Sequence, residues 1–324
     1  MSITPFFSCF LALSVAASGC AQPRHQAEVK NLPEEVTSAG SDSVIASYFP
    51  YDLNKPDHKT KLPEVLVEVS GLSYIDEGKL CMIQDEEAKV FIFDIAADSV
   101  TEAITFGVSG DFEGIEFAEK KIFTISTDGV LTEISHFDTK IPKMRKFQTF
   151  LTNDFEPEGL TWLPSKRYIL FACKAEKQEK NDSGNKTRAL YYFDMNTDRI
   201  AEIPLATIDL GDIQRVMFES DGSDKEKEKE WKSEFDPHKN DSFRPSGISV
   251  HPLTGEIFMI ASVGKMLIVL NPETYEVVQA RYLSREIFKQ PEGICFDPAG
   301  NLFISNEGRD GRGNVLRFDY RAEN

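Results

Sequence analysis

PEGICF, residues Pro291 to Phe296, places an acidic residue before a glycine and an apolar, any, apolar triplet after it. Four earlier stretches have the same design: VSGLSY (Val69 to Tyr74), FEGIEF (Phe112 to Phe117), PEGLTW (Pro157 to Trp162) and PSGISV (Pro245 to Val250). Their glycines, Gly71, Gly114, Gly159, Gly247 and Gly293, are separated by steps of 43, 45, 88 and 46 residues. A period near 44, with strand-like alternation after each glycine, predicts a β-propeller with about four strands per blade. The expected fold is an all-β, five-bladed β-propeller. Six blades is the alternative, because 88 is twice 44.

Working outward from the blocks, blade one reads VEVSGLSYI, KLCMIQ, KVFIFDI and TEAITF, with Glu77-Gly78 as a tight connection. Blade two reads GIEFA, KIFTIS, VLTEIS and KFQTFL, with Asp128-Gly129 as a hairpin turn. Blade three reads GLTWL, YILFAC, ALYYFDM and RIAEIPL, and blade four GISVH, EIFMIA, MLIVLN and EVVQARYL. The doubled step is read as an insertion over about 209–243. SDGSDKEKEKEWKSEFDPHKND is too charged for core-facing alternation, while DLGDIQRVMF before it can pack against the ring. Blade five keeps only GICFD, NLFISN and VLRFDY, so an N-terminal strand must close the ring and cover the open edge. Val44 to Phe49 and Val65 to Val69 are the candidates.

The chain has 324 residues, is 41% hydrophobic and carries a formal net charge of −17. A surface of that sign repels phosphate backbones, so no nucleic-acid partner is expected. An apolar run from Ile3 to Ala17 leads into Ala17-Ser18-Gly19-Cys20. Small residues before a cysteine at this distance resemble a bacterial lipobox, although Ala17 stands where Leu is usual and no Lys or Arg precedes the run. Residues 1–20 are therefore expected to be a signal with Cys20 lipidated, 21–43 a flexible tether, and 44–324 the propeller. The expected location is the cell envelope, with the membrane reached through the lipid on Cys20. Cys81, Cys173 and Cys295 lie in apolar runs without paired spacing, which argues against a disulfide framework.

The five blocks in this order, with the strand endings CMIQDEE, LFACK and LFISNEG, resemble the SdiA-regulated family of bacterial β-propellers, distantly similar to NHL-repeat propellers. The resemblance covers about Val65 to Tyr320. It implies a five-bladed ring, export, and a Ca²⁺ ion bound to the propeller, and it supplies no reaction. The chain departs from the family in its charged insertion and in Ala261-Ser262-Val263, where an acidic strand ending is usual.

The repeat itself shows where side chains meet. The start of each first strand and the end of each second strand share one rim, because the two run antiparallel. Ser70, Glu113, Glu158, Ser246 and Glu292 stand just before the block glycines, and Asp85, Glu86, Asp128, Lys174 and Glu307 follow the second strands. Glu113, Glu158, Glu292, Asp85 and Glu307 are the candidate metal ligands, since Ca²⁺ takes six to eight oxygen donors. The alternative is that each Glu accepts backbone N–H bonds and ties neighbouring blades together. Lys174 is expected to pair with one of these acids. The five histidines show no ligand spacing, with His251 reading as a turn residue, and no serine stands in a nucleophile elbow. The expected function is a non-catalytic, monomeric, Ca²⁺-binding propeller presenting a face to a small molecule or envelope protein. The alternative is a Ca²⁺-dependent hydrolase of the lactonase or phytase type, with Asp85 as base.

Overall fold

A computed structural model describes residues 48–76, 78–174, 186–219, 235–238, 242–308 and 311–323. Cys20, the tether, most of Val44 to Phe49, and the run DKEKEKEWK lie outside the described residues. The chain forms β1 (His58–Lys61) and then blade one: β2 (Val69–Tyr74), β3 (Lys79–Gln84), β4 (Lys89–Asp94) and β5 (Ser99–Thr105). Blade two is β6 (Phe112–Ala118), β7 (Lys121–Ser126), β8 (Val130–Ser135) and β9 (Lys143–Gln148). Blade three is β10 (Pro157–Leu163), β11 (Tyr168–Cys173), β12 (Thr187–Asp194), β13 (Arg199–Ile200) and β14 (Ala206–Asp209), followed by helix α1 (Leu210–Glu219). Blade four is β15 (Arg244–Val250), β16 (Ile257–Val263), β17 (Met266–Leu270) and β18 (Val277–Tyr282). Blade five is β19 (Pro291–Phe296), β20 (Leu302–Asn306) and β21 (Asn314–Phe318), with β1 on its outer edge. Five separate antiparallel sheets result, the five-bladed propeller that the repeat predicts.

The block glycines explain why the ring closes at five. A Cβ on Gly114 would lie 2.9 Å from the Glu158 carbonyl oxygen, and one on Gly247 2.6 Å from that of Glu292. One on Gly293 would lie 2.8 Å from the Leu72 nitrogen. Inner strands of neighbouring blades therefore touch backbone to backbone where a side chain has no room. On Gly159 the clash is with Ile248, 2.9 Å away, which sits on the far side of the doubled step. Blades three and four are direct neighbours, and no sixth blade fits between them.

Five hydrophobic clusters fill the five interfaces. Alternation along one strand feeds two of them: Leu80 and Met82 pack toward blade five, Cys81 and Ile83 toward blade two. Strands buried on both faces read as continuous apolar runs, and each fully buried Leu, Ile or Phe contributes about 1.5–3 kcal/mol.

The structure corrects several expectations. The closing strand is neither Val44 to Phe49 nor Val65 to Val69. It is His58–Lys61, which pairs with β21 from His58 opposite Arg317 to Lys61 opposite Asn314. RIAEIPL is not one strand. Pro204 has no N–H for the ladder, and the edge breaks into β13 and β14, both paired with β12. In the insertion, Asp209 caps α1 by accepting the Gly211 N–H at 2.6 Å. Leu210, Ile213, Val216 and Met217 turn one helix face into the cluster between blades three and four. His251 does begin a turn, but it is also buried, at 1% exposure. It lies among Tyr51, Phe258, Phe296 and Tyr320, and its Nε2 stands 2.9 Å from the Tyr51 hydroxyl.

Candidate functional site

The inner strands carry an irregularity at the same place in every blade. Pairing of first and second strands shifts between Val69 and Gly71, Phe112 and Gly114, Pro157 and Gly159, Pro245 and Gly247, and Pro291 and Ile294. A bulge leaves one residue out of the ladder and re-aims its side chain. In the first four blades the displaced residue is Ser70, Glu113, Glu158 or Ser246, and in blade five it falls at Glu292-Gly293. All five residues line one opening on the ring axis, a cavity of about 10 Å³, room for one water.

Three of the five are glutamates, and one lysine faces them. Lys174, one residue past the end of β11, places its Nζ 2.7 Å from Glu158 Oε1. Burial alone would lower its pKa, but Glu158, Glu292 and Glu113 outweigh it and hold the ammonium above its usual value. Burial pushes both Glu113 and Glu292 up to about 7, with Lys174 opposing in each case. Glu158, only 6% exposed, is driven well above its ordinary value by the same burial, and Lys174 is the charge that pulls it back. One ammonium does not balance three carboxylates, one buried and two half-buried, so the opening retains protons that a further cation would displace.

Glu113, Glu158 and Glu292 are thus brought together. Asp85 and Glu307 stand at the margin. Burial pushes Asp85 up to about 6, and the charges reinforcing it are Glu68, Glu86 and Asp111. Glu307 acts on Glu292 and accepts a hydrogen bond from the Gln290 amide. In blade two the position equivalent to Lys174 is Thr127, whose N–H donates to the Asp111 carbonyl as that of Lys174 does to Glu156. Asp128 belongs instead to the following turn, its carboxylate held by Ser126 Oγ at 2.5 Å. Blade four, without an acid, still takes part through Ser262, which hydrogen-bonds Glu292. Blades are tied by hydroxyls: Ser246 Oγ donates to the Pro291 carbonyl, and the Val250 N–H donates to Thr161 Oγ1.

A second tier was missed at the sequence level. Glu68, Asp111, Glu156, Arg244 and Gln290 each lie two residues before the bulged position. Arg244 of blade four pairs with Glu156 of blade three, whose backbone takes a left-handed φ of 47°. Extending the repeat two residues toward the N-terminus would have found this tier.

The site's fit to Ca²⁺ divides into kind and placement. The donors are carboxylate and hydroxyl oxygens, which suit a hard cation. Ser70 Oγ and Asp85 Oδ1 are buried and make no hydrogen bond among the described residues. In placement, the Lys174 ammonium already engages Glu158 Oε1. Among the described residues no three His, Cys, Asp or Glu side chains are gathered closely enough to hold a metal as they stand.

No family model matches the chain, and no curated protein matches it. The SdiA-regulated likeness therefore remains a resemblance. Solved structures do match in shape. Glutaminyl cyclase of Myxococcus xanthus superposes with a TM-score of 0.51 at 10% identity, over 83% of this chain and 97% of that one. A luciferin-regenerating enzyme gives 0.47 at 11% identity, over 83% and 98%. At 10% identity the likeness to the cyclase is one of fold alone.

Proposed function

We propose that this chain is an exported, non-catalytic propeller, anchored through a lipid on Cys20, whose acidic opening binds a cation such as Ca²⁺ and presents that face to a small molecule or envelope protein. The observation that carries this reading is the meeting of Glu113, Glu158 and Glu292 from three blades around a single lysine. The spare oxygens Ser70 Oγ and Asp85 Oδ1 add to the donors on the blade-one side. Lys174 is then an internal competitor, and Ca²⁺ gains Glu158 only as the ammonium withdraws. The hydrolase alternative asks Glu158 to hold a metal and Asp85 to act as its base. The charges that act on Asp85 are those of Glu68, Glu86 and Asp111 and not that of Glu158, so the binding reading is favoured.

Calorimetric titration of the full chain with Ca²⁺, beside Lys174→Met, tests it. We expect heat and a raised Tm in the native protein, and about tenfold tighter binding in the variant, a gain of about 1.4 kcal/mol. Neither heat nor a Tm shift in either protein at millimolar Ca²⁺ would remove the cation from the proposal.

A further inference from the structure

Blade five carries a second recess of opposite sign. It is a cleft of about 480 Å³ whose lining includes Lys59, Lys61, Arg285, Lys289 and Arg312, with Glu307 the one carboxylate among the described lining residues. Five cations in one concavity run against a chain with a net charge of −17. Lys59 and Lys61 flank buried Thr60 on β1, so strand alternation sends both to the same side. Arg285 and Lys289 come from the segment between β18 and β19, and Arg312 from the residues just before β21. Among the described residues, Lys59, Lys61, Lys289 and Arg312 enter no ion pair. These four like charges repel one another where they share a concavity, and the volume is that of a small-ligand site.

We propose that this cleft binds an anion bearing phosphate groups, with the arginines as forked donors and the lysines as point charges. The register places it on the same face as the glutamate opening: Lys61 pairs with Asn314, Asn314 with Asn306, and Asn306 with Pro291, beside Glu292. Gln290 and Glu307 form its border toward that opening. Because Lys59 and Lys61 sit on the strand that closes the ring, a bound anion ties that strand to the rest of blade five.

The test titrates the full chain with inorganic pyrophosphate at low ionic strength, and separately with phosphatidylglycerol vesicles against neutral phosphatidylcholine vesicles. Pyrophosphate is expected to raise the Tm, to bind more weakly as salt increases, and to lose at least tenfold in affinity in Lys59→Gln/Lys61→Gln. Arg285→Gln/Arg312→Gln, which leaves β1 intact, is expected to lose affinity as well, so a loosened strand does not account for the effect. Preference for phosphatidylglycerol vesicles, reversed by pyrophosphate, identifies a lipid headgroup as the source of the phosphate. Pyrophosphate binding without that preference identifies a soluble ligand. Absence of both kinds of binding, or undiminished binding in both double variants, overturns the proposal. Neither result bears on Ca²⁺ at the channel.

Discussion

Glu116 belongs to the same FEGIEF block as Glu113 and meets a different environment. Its Oε2 accepts from Ser73 Oγ at 3.2 Å and its carboxyl also from the Trp162 backbone, bridging blades one and three. Burial pushes it up to about 8 against those bonds. A carboxyl raised in the folded state binds protons that the unfolded chain has already released. Its contribution to stability is therefore full below the unfolded value near 4.5 and lost as pH rises toward 8. Glu116→Gln is expected to exceed the native protein in stability at pH 8 by about 1–3 kcal/mol and to lose that advantage at pH 5. Urea midpoints at the two pH values decide it, and an equal difference at both would show that the carboxyl does not titrate across that range. The acids of the opening were legible because one offset recurs in every block. The tier of Glu68, Asp111, Glu156, Arg244 and Gln290 was not, because that offset lies outside the block that the recurring glycine defines.

Among the elements, legibility followed hydrophobic period. Strands buried on both faces were found almost to the residue, since their apolar runs are long. The closing strand HKTK was invisible for the opposite reason: an edge strand with only Thr60 buried has no apolar alternation to detect. The insertion was recognised by its charge, and DLGDIQRVMF as a stretch able to pack against the ring, but neither the helix α1 nor the side chain that secures the far end was. Arg188 on β12 is 1% exposed, and its Nε donates to the Phe243 carbonyl at 2.6 Å, just ahead of blade four. Its Nη1 also donates to the Thr187 carbonyl at 2.7 Å. Arg188→Met would strand these carbonyls, and is expected to cost about 2–4 kcal/mol in urea unfolding. Arg215 on α1, paired with Asp212 and Glu219 in solvent, serves as the control: its Ala variant is expected to change stability by less than about 0.5 kcal/mol. Equal costs for the two would mean that the insertion is not pinned through Arg188.

At the scale of the molecule, a ring has no end until its first and last elements meet. Four of the five interfaces join blades that follow one another in the chain. The fifth, between blades five and one, joins its extremities and carries the greatest loop-closure entropy. Two features fasten the N-terminal segment to the end of the ring. Residues His58–Lys61 cover the outer edge of β21, and Tyr51 donates to the Gly300 carbonyl at 2.6 Å while meeting His251 of blade four. A chain beginning at Tyr48 keeps both and is expected to melt with the full-length protein. One beginning at Leu62 leaves Asn314–Phe318 as a bare strand edge, open to pairing with another copy. It is expected to melt at lower temperature and to form oligomers in light scattering that dilution slows. Coincident melting of the two truncations, with both monomeric, would show that three strands suffice for blade five and that the interface with blade one closes the ring by packing alone.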